Sequence, residues 1–216
     1  PGNAKFKKLT PVDENSANPY TLTDDDRTVI GNTTPKFSGG FGLNATFKGF
    51  DVSAFFNFMY DFDVFNANKV MMTTWASNNY NNFSMDISAA KRWRNFDDMG
   101  NEIRYSPEIL AEFNKNATMW NPTSIGRPIA MSYAVEDGSF LRLNTATIGY
   151  TLPRAWTNKV GLSRVRFYAS GYNLFTITGY SGYDPEVDIA TGLTPNIDNN
   201  RYPRSRTYTF GVQLTF

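Results

Sequence analysis

The sequence contains neither cysteine nor histidine among its 216 residues. A chain without them cannot build a Ser-His-Asp triad, a thiolate nucleophile, a disulfide, or a zinc site made of Cys and His ligands. Neither sign of charge is in excess, because 21 Lys and Arg balance 20 Asp and Glu to a net charge of +1. The sequence therefore has no broad basic surface, and we do not expect nucleic acid as a partner.

Long hydrophobic runs are also absent, and nothing approaches the roughly 20 apolar residues of a membrane-spanning helix. What the sequence has instead is an aromatic content of 16%. Several segments alternate apolar and polar residues with a period of two, which predicts β-strands with one apolar and one polar face. The expected strands lie near 39–48, 50–63, 139–152, 164–178 and 204–216.

The lengths of these strands and of their connections favour a membrane protein. Soluble strands usually have about 5 to 6 residues, whereas a tilted strand that crosses a bilayer needs about 9 to 11. The connections Lys48-Gly49 and Pro153 to Ser163 are short, while 64–136 and 179–203 are long. Short turns at one end and long loops at the other are typical of outer-membrane barrels.

The two faces of the predicted strands support the same interpretation. One face carries aromatic residues near the strand ends, and the other carries mainly Gly, Ser, Thr, Asn and Gln, where a soluble sandwich would have charged residues. We therefore predict an all-β fold, an antiparallel transmembrane β-barrel segment. The aromatic residues expected on the lipid-facing side include Phe47, Phe50, Tyr60, Phe62, Tyr208 and Phe216.

Two parts of the sequence lack the strand pattern. Residues 1–35 are polar and rich in Asn, Asp, Thr and Pro, which predicts an extended loop. Within 64–136, the sequence Ser106-Pro107-Glu108 predicts the start of a short helix, because Ser is a favoured N-cap and Pro a favoured first helical residue.

Several phrases of the sequence occur together and in a fixed order. They are Asp24 to Asn32, Pro35 to Gly42, Phe50 to Phe58, Glu136 to Leu143, Ile148 to Pro153, Ser170 to Phe175, Tyr180 to Glu186 and Tyr202 to Gly211. In these phrases the chain resembles the SusC/RagA-type TonB-dependent transporters of the bacterial outer membrane. The resemblance covers nearly the whole chain except the Asn-rich loop.

The resemblance implies that the chain is the C-terminal part of a longer transporter, contributing about five strands to a plugged barrel of about 22. Five strands leave two unpaired edges, so the remainder of the barrel and the plug are expected partners. Further implied partners are outer-membrane lipid, a SusD-like surface lipoprotein that acts as a lid, and the TonB complex, reached through an N-terminal region. The implied function is import of oligosaccharides or peptides across the outer membrane of a Gram-negative bacterium, without enzymatic activity.

Two alternative functions stay open. A siderophore or vitamin receptor of the wider TonB-dependent class would share the architecture. A soluble all-β carbohydrate-binding module belongs to a different class. The pairs Asp97-Asp98 and Asp184/Glu186 would suit a glycosidase, but the second pair lies in a phrase shared with transporters, and we assign no catalytic residue.

The final strand carries a candidate assembly signal, since apolar residues alternate up to a terminal aromatic residue as in barrel proteins of Gram-negative outer membranes. If Phe216 lies at the periplasmic end, then 1–35, 64–136 and 179–203 are extracellular. The residues of this candidate signal are Tyr208, Phe210, Val212, Leu214 and Phe216.

Two further groups are candidate binding residues. Asp24, Asp25 and Asp26 offer oxygen ligands that suit Ca²⁺, although their spacing is not that of an EF-hand loop, and a solvated acidic loop is the alternative. No other cofactor is expected. Aromatic rings in the long loop could stack on sugar cargo or contact the lipoprotein lid, or could pack the loop itself. These aromatic candidates are Trp75, Tyr80, Trp93 and Trp120.

Overall fold

The computed structural model describes residues 2–12, 14–15, 17–75, 82–126, 129–187 and 195–216. The chain divides into two compact units, which we call the sheet unit and the loop unit. The sheet unit comprises Gly31–Phe65 and Val135–Phe216, and the loop unit comprises Pro1–Ile30 and Asn66–Ala134.

The strands form two antiparallel sheets, and the predicted antiparallel fold is confirmed. In chain order the strands are β1 (Phe37–Phe47), β2 (Phe50–Tyr60), β3 (Asp63–Asn66), β4 (Val135–Asp137), β5 (Phe140–Thr151), β6 (Arg164–Thr178), β7 (Ile197–Asp198) and β8 (Thr207–Thr215). The main sheet has five strands in the order β1-β2-β5-β6-β8, and the small sheet has the order β4-β3-β7. The alternation pattern did not predict the small sheet, because its strands have only two to four residues.

The hairpin between β1 and β2 turns on two residues with positive φ, Lys48 at 46° and Gly49 at 89°. Two such residues make the tight turn whose twist matches that of paired strands. The turn fixes the register from Phe47 opposite Phe50 to Phe37 opposite Tyr60. The alternating apolar residues of both strands, from Phe37 and Tyr60 to Phe47 and Phe50, therefore share one face.

Irregularities in the middle of the main sheet change which residues of β5 share a face. The register between β2 and β5 shifts at Phe55/Phe56, where Asn144 is the extra residue of β5. The pairing of β5 with β6 shifts at the same level, where Asn173 of β6 has a φ of 52°. As a result Arg142 lies opposite Asn57, on the polar face of the sheet.

The expectation that Phe62 belongs to the lipid-facing aromatic residues was wrong. Asp61 has a φ of 59°, which ends the extended conformation of β2 and turns the chain. Phe62 is only 2% exposed. It belongs to the core of the sheet unit, which also contains Val64, Phe140, Tyr180 and Val187.

The helices are short. Helices α1 (Ala67–Met71) and α2 (Pro107–Asn114) lie in the loop unit, and α3 (Arg154–Thr157) follows β5. The prediction for α2 is confirmed: Pro107 is its first residue, and the Ser106 carbonyl accepts a hydrogen bond from the Leu110 N–H at 2.9 Å. Every helix in the described ranges is too short or too polar to span a bilayer. Single 3₁₀ turns occur at Asp24–Asp26, Met85–Ile87, Pro122–Ile125, Ser132–Ala134 and Asn158–Val160.

Candidate functional site

One face of the main sheet, which we call the apolar face, is apolar from its first strand to its last. The register aligns Phe41 with Phe56 at one edge and Ala169 with Phe210 at the other. A contiguous exposed apolar surface this broad marks contact with a membrane or with another protein. Large exposed side chains on this face include Phe37, Phe41, Leu43, Phe47, Phe50, Val52, Tyr60, Ile148, Phe167, Phe175, Tyr208, Phe210, Val212 and Leu214.

The opposite face, the polar face, carries an ion pair that spans three strands. The Arg166 guanidinium of β6 donates to the Asp51 carboxylate of β2, at 2.9 Å from Nε and 2.5 Å from Nη2. Gly149 of β5 lies between them, and a Cβ there would be 2.5 Å from Arg166 Nη2 and 2.6 Å from Asp51 Oδ1. Since such a contact is shorter than van der Waals packing allows, a larger residue at this position would force the ion pair to shift.

A second charged group, the Arg142 cluster, consists of Arg142, Asp184, Glu186 and Arg204. The Arg142 side chain is 2% exposed, and its Nη2 donates to the carboxylate of Asp184. Its Nη1 lies 3.6 Å from Glu186, and Arg204 binds the same Glu186 carboxylate at 2.6 Å. The alternating cations and carboxylates therefore attach the segment 180–187 to the polar face of β5.

Burial and charge act against each other on Asp184. Burial alone would raise the pKa of Asp184, but hydrogen bonds from the Arg142 guanidinium and the Glu186 N–H outweigh it and hold the pKa below its ordinary value. Asp184 is therefore an ionised partner of Arg142 at neutral pH.

Two further contacts hold the start of the segment 180–187. The Tyr180 hydroxyl donates to Asp198 at 2.7 Å, and burial followed by this hydrogen bond raises the pKa of Tyr180 above its usual range. The Glu136 carboxylate accepts hydrogen bonds from the Ser181 N–H at 2.9 Å and from its hydroxyl at 2.8 Å. The segment is thus fixed to β4, β5 and β7.

Comparison with known proteins shows where such a sheet occurs. No family model matches the sequence. The chain is 32% identical over 201 residues to TonB-dependent receptor P3 of Formosa agariphila, a match that covers 90% of this chain and 18% of that protein. It is also 32% identical over 164 residues to TonB-dependent receptor SusC of Bacteroides thetaiotaomicron, covering 69% of this chain and 15% of SusC.

Solved structures agree with the sequence matches. The fold superposes on the RagAB peptide transporter with a TM-score of 0.69 at 26% identity, over 91% of this chain and 19% of that one. The chain belongs to the SusC/RagA-type TonB-dependent receptors. A second RagAB structure, the peptide importer in its closed-closed state, gives a TM-score of 0.68 at 25% identity over 93% of this chain.

This SusC/RagA-type chain spans only 18% of receptor P3 and 20% of the chain in the closed-closed RagAB structure. Its main sheet matches a segment of the RagA β-barrel. In outer-membrane barrels the apolar face of such a sheet meets lipid and the other face lies inside. The relatives are receptors and transporters rather than enzymes. Asp184 and Glu186, the candidate glycosidase pair, each form an ion pair with an arginine.

The residues of the candidate assembly signal of this SusC/RagA-type chain all lie in or next to β8. By register, Tyr208, Phe210, Val212 and Leu214 lie on the apolar face, opposite Gly171, Ala169, Phe167 and Val165 of β6. Phe216 follows the strand and is exposed. Their placement suits lipid contact, and the assembly signal itself stays a prediction.

The candidate aromatic residues of the long loop have different contact partners. Trp75 is exposed and packs against Phe83, with ring centroids 5.7 Å apart. Trp120 donates to the Thr73 carbonyl at 3.1 Å, and Trp93 donates to Asn95 at 3.2 Å. Trp75 is thus the most exposed of these three residues and the most accessible to cargo or to the lid. Tyr80 lies outside the described residues.

Asp26 has a structural role in the acidic run. Its carboxylate accepts hydrogen bonds from the N–H groups of Thr10 at 2.8 Å, Thr23 at 2.9 Å and Leu9 at 2.9 Å. These bonds, those from Thr10 and Thr23 first, hold the pKa of Asp26 far below its ordinary value.

The other two acidic residues of the run offer no assembled cation site. Asp24 pairs with Arg27 at 2.8 Å, and Asp25 is exposed. Among the described residues, no three Asp or Glu side chains lie close enough together to hold a metal ion. The Ca²⁺ site stays a prediction.

The sequence pattern did not predict that the carboxylates Asp51, Asp184 and Glu186 pair with arginines on the polar face. Arg142 is the only charged residue of β5, and β6 carries Arg164 and Arg166. These arginines were a usable indication, because a charge inside a barrel strand needs a partner. Asp184 and Asp51, the partners of Arg142 and Arg166, are 42 and 115 residues away in the sequence, and no local pattern identifies them.

Proposed function

We propose that this chain forms part of the wall of an outer-membrane importer that moves peptides or oligosaccharides into the periplasm with energy from the TonB complex. The observation that carries the proposal is a barrel segment with a broad apolar face in a chain similar to both SusC and the RagAB peptide importer. The polar face, with its Asp51–Arg166 pair and its Arg142 cluster, would line the path or meet the plug.

The proposed partner at the cell surface is a SusD-like lipoprotein that closes the barrel as a lid. Each unit carries large apolar side chains that are exposed in the loop segments, a feature of interaction surfaces. In the loop unit these are Met85, Met99 and Tyr105, and in the sheet unit they are Tyr183 and Tyr202. They are candidate contacts for the lid or for cargo.

An uptake assay tests the proposal. The full-length gene would be deleted, and entry of isotope-labelled peptide and oligosaccharide mixtures into the periplasm would be measured beside a tonB deletion strain. We expect both deletions to abolish uptake of the same cargo class. Normal uptake of both mixtures with loss of siderophore-bound iron uptake would replace the proposal with the siderophore-receptor alternative.

Copurification tests the lid. The full-length protein, extracted from outer membranes in mild detergent, should carry one surface lipoprotein in a stoichiometric amount. Recovery of the receptor alone, under conditions that preserve its folded barrel, would contradict the partnership.

A further inference from the structure

The connection between β5 and β6 presents an apolar surface of its own. Trp156 and Val160 are 61% and 70% exposed. They are four residues apart in α3 and the 3₁₀ turn Asn158–Val160, a spacing that places side chains on one side of a helical turn. Thr157, on the other side, is buried. The turn therefore packs with its polar Thr inward and shows its largest apolar residues outward.

This connection packs next to the start of β6, at one end of the main sheet. Helix α3 contacts β6. Val165 shares the apolar face with Phe167, yet Val165 is 6% exposed and Phe167 is 47% exposed. Val165 lies one residue inside the start of β6, the strand that α3 contacts. The exposed side chains of Trp156 and Val160 are therefore near the end of the apolar face at which β6 begins.

The same end of the apolar face is indented. A groove of about 520 Å³ is lined by Phe50, Tyr150, Phe167 and Val212, among others. Phe50 directly follows the Lys48-Gly49 turn, and Tyr150 lies close to the end of β5. The groove therefore opens where the strands approach the short turns.

Two cations accompany the apolar pair. Arg154 and Lys159 are exposed, and neither pairs with a carboxylate in the described part of the chain. Trp is enriched where a membrane protein crosses from hydrocarbon to water, and Arg and Lys near that boundary reach toward the headgroups. The combination fits phospholipid better than it fits a soluble partner.

We propose that Pro153 to Ser163 is a membrane-interface anchor. Trp156 and Val160 insert at the boundary between acyl chains and headgroups of the periplasmic leaflet, and Arg154 and Lys159 bind the phosphates of its phospholipids. We assign the connection to the periplasmic side of the membrane because it is short, and the short turns of outer-membrane barrels are periplasmic. The anchor requires only the membrane location of the family, so a failed uptake assay leaves it standing.

Photo-crosslinking in native membranes tests the anchor. The crosslinking residue p-benzoylphenylalanine would replace Trp156, or Val160 in a second variant, in the full-length protein, with assembly checked by heat-modifiable gel migration. Mass spectrometry should find phospholipid adducts at a yield comparable with that at Ile148, an exposed position of the apolar face. Met99, exposed in the loop unit, is the matched position that should give none.

The outcomes separate the proposal from its competitors. Crosslinks to a protein at Trp156 and Val160, or no phospholipid adduct at either position while Ile148 gives one, would overturn the anchor. Charge reversal of both cations, R154E with K159E, should lower the phospholipid-adduct yield at Trp156. An unchanged yield would remove the phosphate contact from the proposal.

Discussion

Arg142 and Asp184 form an ion pair in which the arginine is almost completely buried, although 42 residues separate the two. The pair joins a barrel strand to a segment beyond the next strand. A buried cation of this kind is costly unless its carboxylate partners stay in place. The attachment of the segment 180–187 to β5 should therefore depend on Arg142.

Arg142→Met tests that dependence. The substitution keeps a long side chain but leaves the carboxylates of Asp184 and Glu186 without their buried cation, a type of change that typically costs about 3–5 kcal/mol. We expect faster proteolytic cleavage within 180–187 in outer-membrane vesicles that hold the full-length protein. Lys115→Met, which removes an exposed pair with Glu112, is the control and should leave that cleavage rate unchanged. Equal cleavage in both variants would contradict the account.

The Asp184–Arg142 pair should also respond to acid. Because the pKa of folded Asp184 lies below its unfolded value, the pair stabilises the attached segment at neutral pH and loses this contribution as pH falls through the folded pKa. Hydrogen exchange at 180–187 should be flat from pH 7 to about pH 5, after correction for intrinsic rates, and should accelerate below about pH 4. Asp184→Asn should remove this acceleration. Acceleration between pH 7 and pH 5 would point to another group.

Gly149→Ala tests the bridge across the polar face. The new methyl group would collide with Arg166 and Asp51 and force the ion pair apart, at a cost of about 1–3 kcal/mol for overpacking. The temperature at which the full-length barrel loses its heat-modifiable gel migration should fall. Gly42→Ala is the matched control, since a Cβ there meets its nearest neighbours at 3.7 Å. A fall of equal size in both variants would mean that the close approach at Gly149 has no special importance.

Charge on the final strand tests the assembly hypothesis. The double substitution Phe210→Asp with Phe216→Asp places carboxylates on the side of β8 that we expect to contact lipid. It should lower the amount of receptor in the outer-membrane fraction. Thr209→Asp with Gln213→Asp adds the same charge to the polar face of β8 and should be tolerated far better. The immunoblot of membrane fractions decides between them, and equal levels for the two variants would count against the hypothesis.

Alternation predicted the main strands because a sheet with one apolar and one polar face requires a period of two along each regular stretch of strand. Phe41 to Phe47 and Tyr208 to Leu214 follow that rule. Asn144 and Asn173 do not, since the bulge is a property of paired strands and neither residue differs from an ordinary polar position in sequence. For that reason, alternation could not predict which face of the sheet the residues of β5 before Asn144 occupy. Arg142, on the polar face, is one of them.

Phe62 illustrates a second limit. Phe62 follows Tyr60 by two residues, so the alternation places it on the apolar face of β2. The positive φ of Asp61 instead turns the chain, and Phe62 packs in the core with Phe140 and Tyr180. Any aspartate can adopt this conformation, and only the packing partners from 78 to 118 residues further along the chain show that it does so here. The Arg142 cluster is hidden from sequence for the same reason, because its carboxylates follow β6 rather than β5.

We expect β8 to separate lipid on one side from the barrel interior on the other. Nitroxide labels would be placed one at a time at each position from Thr207 to Thr215 in the full-length receptor in bilayers. For each label, its accessibility to lipid-soluble oxygen and to a water-soluble nickel chelate would be measured from spin relaxation. We predict alternation with a period of two, with oxygen accessibility highest at 208, 210, 212 and 214 and lowest at 207, 209, 211, 213 and 215. Equal nickel accessibility on both faces of the strand would contradict the claim.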